Sequence, residues 1–268
     1  MQIRAKKLRK DIVTMLEQGG RGHLASALSL VEILVVLYDV ILRFNPAEPF
    51  WSNRDRLILS KGHGCMALYA ILCDKGFFPR SELERFCAAD GILGGHPSRP
   101  KVPGVEASTG ALGHGLSIGV GMALNARYEK QDHRVLVILG DGECNEGSIW
   151  EGAMCAAKHN LDNLTVIVDY NKMQSYSTTH EVLELEPFAD KWRAFGFEVV
   201  EVDGHDTDIL SSTFDRLPLS PGKPSAIVCH TVKGKGIPFV EGDLSWHHKS
   251  RVTSEEIAAL YNGIGGSP

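Results

Sequence analysis

Four short apolar segments constrain the fold of this 268-residue chain more than any other feature of its sequence. They are rich in β-branched residues, and a polar or glycine-containing turn follows each one; they cover residues 134–139, 164–168, 198–202 and 226–230. Strands that are apolar on both faces are typical of parallel sheets with helices packed on either side. The pattern therefore predicts an α/β fold with an open parallel sheet, helices on both faces and right-handed crossovers.

Helical periodicity predicts the elements between these strands. Apolar residues recur at helical spacing over about 3–18, 25–43, 63–75, 114–130, 147–159, 188–195 and 254–262. The segment 78–110 is rich in Gly, Pro and polar residues and lacks this spacing, which is typical of a functional or mobile loop. We expect a single domain over 1–268 with a C-terminal extension, and a frayed end at 263–268.

Composition and charge argue against several classes of protein. The formal net charge is -5 and no dense Lys/Arg stripe is interleaved with aromatics, so nucleic acid binding is not expected. Six scattered cysteines without a CxxC pair predict mostly buried, reduced thiols in a cytoplasmic protein. The N-terminus lacks the apolar stretch of a signal peptide, and the most apolar run, 31–42, is too short to span a bilayer, so no membrane anchor is expected.

Polar side chains follow the predicted strands, where ligands of open α/β sheets collect; the segments are GDGECNEG, DYNKMQSY, DGHD and TVKGKG. Asp141 lies in Gly140-Asp141-Gly142, and residues 143–170 separate this triplet from Asn171. If the two strands are neighbours, these side chains share one sheet edge and offer oxygen ligands to Mg²⁺ or Ca²⁺, which also bind diphosphate. The alternative is that the triplet is only a turn and Asn171 only a cap. The strand on each side and the spacing favour the ligand interpretation.

The triplet, a spacer of nearly thirty residues and the asparagine resemble the fingerprint of thiamine diphosphate enzymes. Ordered motifs along most of the chain resemble the N-terminal part of transketolases in particular; they are GHLASALSLVEIL, NRDRLILSKGH, GGHPSRP, EASTGALGHGLSIGVGMAL, ILGDGECNEG and FADKWRAFGFEVVEVDGHD. The resemblance implies a Mg²⁺ site, with Ca²⁺ or Mn²⁺ as substitutes, formed by Asp141, Asn171 and the main-chain carbonyl of Met173. It also implies that Gly140 and Gly142 lie against the diphosphate.

The same resemblance implies roles for residues outside the metal site. Gly110 and Leu112 correspond to backbone contacts with the aminopyrimidine ring, and Glu146 corresponds to a glutamate at the interface between subunits. Glu146 could instead be a first-turn residue favoured by the helix dipole. His114 stands where the family commonly has Gln, which leaves its contact open. Close helix packing is the interpretation favoured for the nearby glycines Gly115, Gly119 and Gly121.

Four histidines in Gly- or Ser-rich segments match family positions. Ketol transfer requires proton exchange with sugar hydroxyls and a carbonyl near neutral pH, a task that suits imidazole. By the resemblance, His63 and His247 lie near the diphosphate, whereas His23 and His96 address substrate oxygens. His248 is adjacent to His247 and leaves that assignment open. Lys233 and Lys235, in TVKGKG, either face phosphate or decorate a solvated loop.

The resemblance implies a transketolase subunit that moves a two-carbon ketol unit from a ketose to an aldose. The family's pyrimidine-binding domain has no counterpart in this chain, so we expect an α₂β₂ assembly with a C-terminal partner subunit. The sugars are not determined by this chain, although QSYSTTHE departs from the usual family loop and hints at a specialised substrate.

Three other functions compete with this one. The first is another thiamine diphosphate enzyme, such as a deoxyxylulose phosphate synthase or a 2-oxo acid decarboxylase, against which the GGHPS and SKGH histidines argue. The second is a non-catalytic scaffold, against which intact Asp141, Asn171 and histidines argue. A nicotinamide-binding Rossmann enzyme is disfavoured because no GxGxxG turn follows the first predicted strand.

Overall fold

A parallel sheet of five strands forms the centre of the protein in a computed structural model that describes residues 1–264. The strands are β1 (Arg56–Leu59), β2 (Val135–Gly140), β3 (Leu164–Tyr170), β4 (Glu198–Asp203) and β5 (Ser225–His230). Their order across the sheet is β1-β2-β3-β5-β4, and every pairing is parallel. The residues of β2 and β3 are buried throughout, as expected of strands covered on both faces. The predicted α/β architecture is confirmed.

Helices connect the strands and cover both faces of the sheet. They are α1 (Gln2–Gly19), α2 (Leu24–Leu28), α3 (Val31–Val36), α4 (Cys65–Asp74), α5 (Gly115–Tyr128), α6 (Gly147–Lys158), α7 (Thr179–Val182), α8 (Phe188–Ala194), α9 (Thr207–Asp215) and α10 (Ser254–Gly263). Two apolar clusters form the core on opposite sides of the sheet, because alternate residues of each strand point to opposite faces.

The sequence predicts one continuous helix over 25–43, and this prediction is wrong because the segment is divided. The segment breaks after α2 and continues as α3 and a π-helical turn, Leu37–Ile41. At the break, the hydroxyl of Ser29 donates to the carbonyl of Ser26 (3.3 Å) and to the carboxylate of Asp169 on β3 (2.7 Å). Because the segment is buried nearly all round, its apolar pattern indicated a helix but held no signal for this break.

Three elements are missing from the sequence prediction: β1, α9 and the four-residue helix α7. Strand β1 has four residues, too few for a clear period, and it becomes a strand by pairing with β2 from Arg56 to Leu59. Helix α9 begins after Asp206, whose carboxylate accepts from the backbone N–H groups of Asp208 (2.9 Å) and Ile209 (3.0 Å). The segment 78–110 is irregular apart from a 3₁₀ helix, Arg80–Arg85, as its composition predicted.

The predicted frayed end is wrong for its first two residues, since Gly263 ends α10 and Ile264 packs into the core with 4% exposure. The remainder of that prediction, 265–268, lies outside the described residues. All six cysteines are free, but only Cys65, Cys144 and Cys229 are fully buried, so burial of most of them is not borne out. Within residues 1–264, no helix is long and apolar enough to cross a membrane. The single-domain assignment with a C-terminal extension stays a prediction.

The crossover from β2 through α6 to β3 determines where polar residues meet. The two strands pair directly, with Val135 opposite Leu164 and Gly140 opposite Asp169. The residues that follow them, Asp141 and Asn171, therefore emerge side by side at the carboxyl edge of the sheet.

Candidate active site

A cavity of about 250 Å³ opens at the carboxyl ends of β2 and β3. Its lining contains His23, Ser26, Lys61, His63, His96, Gly110, Leu112, Gly140, Asp141, Gly142, Glu143, Asn171, Met173, Gln174, Ser175, Lys233 and His247. Every site residue predicted from the sequence lines this cavity except Glu146. The fold thus brings together residues from near both ends of the chain.

The three predicted metal ligands lie together at one end of the cavity. Asp141 is 3% exposed, and its carboxylate accepts from the backbone N–H groups of Gly142 (2.7 Å) and Lys172. The Asn171 side-chain oxygen accepts from the N–H of Met173 (3.1 Å), and both residues line the cavity. Burial and the nearby charge of Asp169 raise the pKa of Asp141 to about 6. Ionisation of this carboxylate is unfavourable without a positive partner, and a bound cation would supply that partner.

A buried ion pair beneath these ligands was not predicted. Lys61, 2% exposed, pairs with fully buried Asp169, which also accepts from the hydroxyls of Ser29 (2.7 Å) and Thr231. Burial opposes ionisation of Asp169, but the Lys61 ammonium group and these donors hold the pKa of Asp169 below its ordinary value. The residue lies within a strand, so its sequence context resembled that of a core position.

The structure separates the two lysines that the sequence left undecided. Lys233 is 2% exposed, and its ammonium group donates to the carbonyl of Met173 (3.0 Å), so a solvated position is wrong for it. Burial and the positive charge of Lys61 lower the pKa of Lys233 to about 8. Lys235 does not line the cavity and lies 3.6 Å from the carboxylate of Glu241.

Glu143 is a buried carboxylate that sequence reasoning missed. It is 2% exposed and accepts from the N–H groups of Gly113 (2.9 Å) and Gly140 (3.1 Å) and from the hydroxyl of Ser60. Burial raises the pKa of Glu143. Because its partners belong to three separate segments, Glu143 joins the turn after β2 to the segment that carries Gly110 and Leu112.

Histidines surround the other end of the cavity. The ring centroid of His23 lies 5.3 Å from that of His63, 6.2 Å from that of His96 and 5.6 Å from that of His247. Burial and neighbouring positive groups lower the pKa of His23 to about 4 and that of His247 to about 3. The pKa of His63 is lowered by the same causes, and burial lowers that of His96. These imidazoles are therefore neutral near pH 7.

A short antiparallel bridge brings His23 and His247 together. Gly22 and Lys249 exchange two backbone hydrogen bonds of 2.9 Å, although they are distant in sequence. The bridge also separates the adjacent histidines. His247 lines the cavity with its Nε2 3.1 Å from the Ser175 hydroxyl, whereas His248 is exposed and contacts His23 from outside. No group of His, Cys, Asp or Glu within the described chain has the arrangement of a metal site, so the histidines do not form one by themselves.

The glycine-rich segment before α5 has one cavity position and several packing positions. Gly110 (φ +145°) lies so close to His96 that a Cβ would stand 3.0 Å from its ring. A Cβ on Gly115 or Gly119 would clash with Ser60 or Val137, as predicted for close packing, but the packing prediction is wrong for Gly121, which has open space. Exposed His114 bonds the carbonyl of Leu112 (3.0 Å) outside the cavity.

Glu146 lies apart from the cavity. It is exposed and occupies the residue before α6, without a side-chain cap bond to the helix. Its predicted role at an interface between subunits stays a prediction.

Comparison with known proteins identifies the family. The family model described as "Transketolase, thiamine diphosphate binding domain" matches residues 2–268. The chain belongs to the transketolase family. Among curated relatives, it is 42% identical over 248 residues to a protein of Phocaeicola vulgatus named as one subunit of apulose-4-phosphate transketolase, covering 92% of this chain and 88% of that protein. It is also 42% identical over 255 residues to "6-deoxy-6-sulfo-D-fructose transketolase subunit SqwG" of a Clostridium species, covering 95% and 92%.

Solved transketolases share the fold but are longer. The transketolase of Campylobacter jejuni superposes with a TM-score of 0.92 and 31% identity, over 98% of this chain and 42% of that one. The chain thus corresponds to the N-terminal, thiamine diphosphate-binding part of a transketolase-type transferase, and relatives named as single subunits match it over nearly their whole length. These comparisons confirm the family and enzyme class expected from the sequence motifs.

Proposed function

We propose that this chain is the diphosphate- and metal-binding subunit of a transketolase that is active only with a second subunit. The reaction transfers a two-carbon ketol unit from a ketose to an aldose. One observation carries the proposal: Asp141, Asn171 and Met173 line the same cavity as four histidines whose pKa values are all lowered.

The residues present fit thiamine diphosphate and a divalent cation. A carboxylate, an amide oxygen and a carbonyl are hard donors of the kind that Mg²⁺ takes, with Ca²⁺ or Mn²⁺ as substitutes. Gly140 and Gly142 line the same cavity as these oxygen donors, and the ammonium group of Lys233 adds positive charge there. When bound, thiamine diphosphate supplies the carbon nucleophile and electron sink that ketol transfer requires.

The chain's own residues would bind the cofactor and move protons. Asp141, Asn171 and Met173 would hold the metal, and Gly110 and Leu112 would contact the cofactor ring. The low pKa values of His23 and His247 keep both imidazoles neutral near pH 7, so each ring has a nitrogen that can accept a hydrogen bond from a sugar hydroxyl. His96 and His23 would serve substrate oxygens, and His63 and His247 the diphosphate side.

A partner chain would complete the site. We infer a C-terminal transketolase subunit with the pyrimidine-binding domain, arranged with this chain as α₂β₂, because relatives named as subunits match this chain over nearly their whole length. Their names point to sugars that carry a phosphate or a sulfonate group, and we propose a donor of that anionic class. We place the assembly in the cytoplasm, as expected from the reduced cysteines.

The proposal is tested with the purified complex of this chain and its C-terminal partner. Titration calorimetry with Mg²⁺ and thiamine diphosphate should show saturable binding, and the loaded complex should transfer a ketol unit between a ketose phosphate and an aldose. Release of CO₂ from pyruvate without ketol transfer would indicate a decarboxylase instead. Absence of cofactor binding would overturn the proposal in favour of a scaffold.

A further inference from the structure

A buried row of three polar side chains links the N-terminal helices to the turn after β4. His205, from the sequence DGHD, places its Nδ1 3.0 Å from one carboxylate oxygen of Glu32 on α3. Arg9 on α1 donates to the other oxygen of Glu32 at 2.6 Å. The side chains of Arg9, Glu32 and His205 are 8%, 10% and 12% exposed, so all three are withdrawn from water.

This row fastens the segment Thr231–Gly236, here called the Lys233 loop. The backbone N–H of Val232 donates to Nε2 of His205 at 2.8 Å, and Nε of Arg9 donates to the carbonyl of Lys235 at 2.8 Å. His205 therefore binds one end of the loop and Arg9 the other, and Glu32 joins these two side chains.

The hydrogen bonds determine which nitrogen of His205 carries the proton. Nε2 accepts from a backbone N–H, so it has a free lone pair, and the proton of the neutral ring is on Nδ1, where it donates to Glu32. Glu32 can accept because burial, which opposes its ionisation, is outweighed by His205 and Arg9, and its pKa is lowered. Each polar group of the row is thus satisfied in one arrangement.

The loop has little freedom to adopt another path. Gly236 has φ +90°, and a Cβ there would stand 2.3 Å from Nε of Arg9. Gly234 has φ +85°, and its N–H donates to the carbonyl of Ala25 (3.0 Å). Directly before Gly234, the side chain of Lys233 reaches the Met173 carbonyl at the metal end of the cavity.

We propose that His205 is a positioning residue: the row Arg9–Glu32–His205 holds the Lys233 loop so that the Lys233 ammonium group faces the metal and diphosphate end of the cavity. His205 itself does not line that cavity and acts through Lys233. The expected effect of His205 on cofactor affinity rests on the function proposed above. Its expected effect on the order of the Lys233 loop is independent of that function.

The first test measures the loop directly by hydrogen exchange of the Val232 amide in the full chain. His205→Ala removes its acceptor, and we expect exchange at least about 10-fold faster, in keeping with loss of one buried hydrogen bond. The control is His230→Ala, which removes a half-exposed His–Glu pair with Glu201 (2.9 Å) but no bond to the loop backbone. If Val232 exchange is equal in wild type and His205→Ala, the proposal is wrong.

The second test is a double-mutant cycle on cofactor affinity in the complex with the partner chain. We expect Lys233→Ala and His205→Ala each to raise the Kd for thiamine diphosphate with Mg²⁺ about 10-fold, and the double variant to be no weaker than Lys233→Ala within about 2-fold. A merely structural role would lower the thermal midpoint without this non-additivity. Equal weakening by His205→Ala in both backgrounds would overturn the proposal.

Two further outcomes are informative. If His205→Ala does not fold, Glu32→Gln keeps the size of the side chain but offers one acceptor oxygen to Arg9 and His205, which use both carboxylate oxygens in the wild type. Faster Val232 exchange in that variant would support the proposal, and unchanged exchange would refute it. If the wild-type complex binds no thiamine diphosphate, the proposed function fails, and the exchange measurement alone decides the role of His205.

Discussion

The two ends of the cavity differ in whether their polar side chains are charged or neutral. At the metal end, Asp141, Asp169, Lys61 and Lys233 bring alternating charges into a nearly dry space, where each depends on a partner. At the histidine end, His23, His63, His96 and His247 are crowded together, and desolvation lowers the pKa of each ring, including that of His96 at the exposed rim. A buried charge without a partner is costly, whereas a neutral imidazole is not. One end is therefore suited to a cation and diphosphate, and the other to proton exchange.

The ends also differ in construction. Asp141 and Asn171 follow adjacent strands, so the sheet itself places them. The histidines come from four loops or helix starts that meet only through long-range contacts such as the bridge between Gly22 and Lys249. Substitution of Asp141 at the first end should therefore lower cofactor binding, and substitution of His96 at the second end should lower turnover.

The largest effect is expected for Asp141→Ala. Removing the only carboxylate among the three proposed ligands should weaken Mg²⁺-dependent cofactor binding by at least about 100-fold, measured by calorimetry in the complex. The thermal midpoint of the unloaded chain should change little, because the variant loses two backbone hydrogen bonds but also a carboxylate that is costly to ionise. Asp190→Ala, at an exposed ion pair with Arg193, is the control. Retained affinity would show that the metal lies elsewhere.

His96→Ala should show the reverse pattern at the histidine end. Turnover of the complex should fall about 100-fold, the lower range for loss of a general acid or base. Cofactor affinity should stay within about 3-fold of wild type, because His96 is not one of the proposed metal ligands. Exposed His159 provides the matched control, His159→Ala. A loss of cofactor affinity as large as the loss of turnover would break the division between the two ends.

The two lysines of TVKGKG test whether burial distinguishes function. Lys233→Ala should weaken thiamine diphosphate binding about 10-fold through loss of one charge at the diphosphate end. Lys235→Ala removes a partly exposed side chain 3.6 Å from Glu241 and should leave the affinity unchanged. Calorimetry of both variants under the same conditions makes the comparison. Equal effects would mean that the buried position of Lys233 has no special role.

The smallest effect concerns pH and stability. The pKa of His23 is about 4 in the folded chain against 6.5 for a free side chain, so the unfolded state binds more protons between those values. Stability contributed by neutral His23 is present above pH 6.5 and is lost as pH falls toward 4. After allowance for partial exposure, wild type should lose roughly 1 kcal/mol more than His23→Gln between pH 7 and pH 5, measured by denaturant unfolding. An equal loss in both proteins would contradict the assigned neutrality.

The raised pKa of Asp141 acts with the opposite sign. Its value of about 6 exceeds that of a free carboxyl, so the folded chain binds more protons between about 4 and 6 and gains stability as pH falls through that window. Both proteins retain Asp141, so its contribution to the pH dependence of stability cancels when His23→Gln is compared with wild type. The difference then reports His23 together with its effect on the pKa values of His63 and His247.

Local sequence determined much of the architecture. The continuous apolar runs predicted four of the five strands, because a strand that is buried on both faces has apolar side chains at nearly every position. The spacing between Asp141 and Asn171 predicted their meeting, because a single crossover helix of this length returns the chain to the adjacent position in the sheet. Ordered family motifs indicated the site residues and the enzyme class.

Only the tertiary structure decided between residues with similar local context. It distinguished Lys233 from Lys235 and His247 from His248, and it revealed the buried carboxylate of Glu143. The row Arg9–Glu32–His205 joins positions more than 170 residues apart, which no local pattern records. The physical reason is that periodicity reports which face of an element is apolar. The position of a side chain relative to a cavity depends instead on contacts between segments that are distant in the chain.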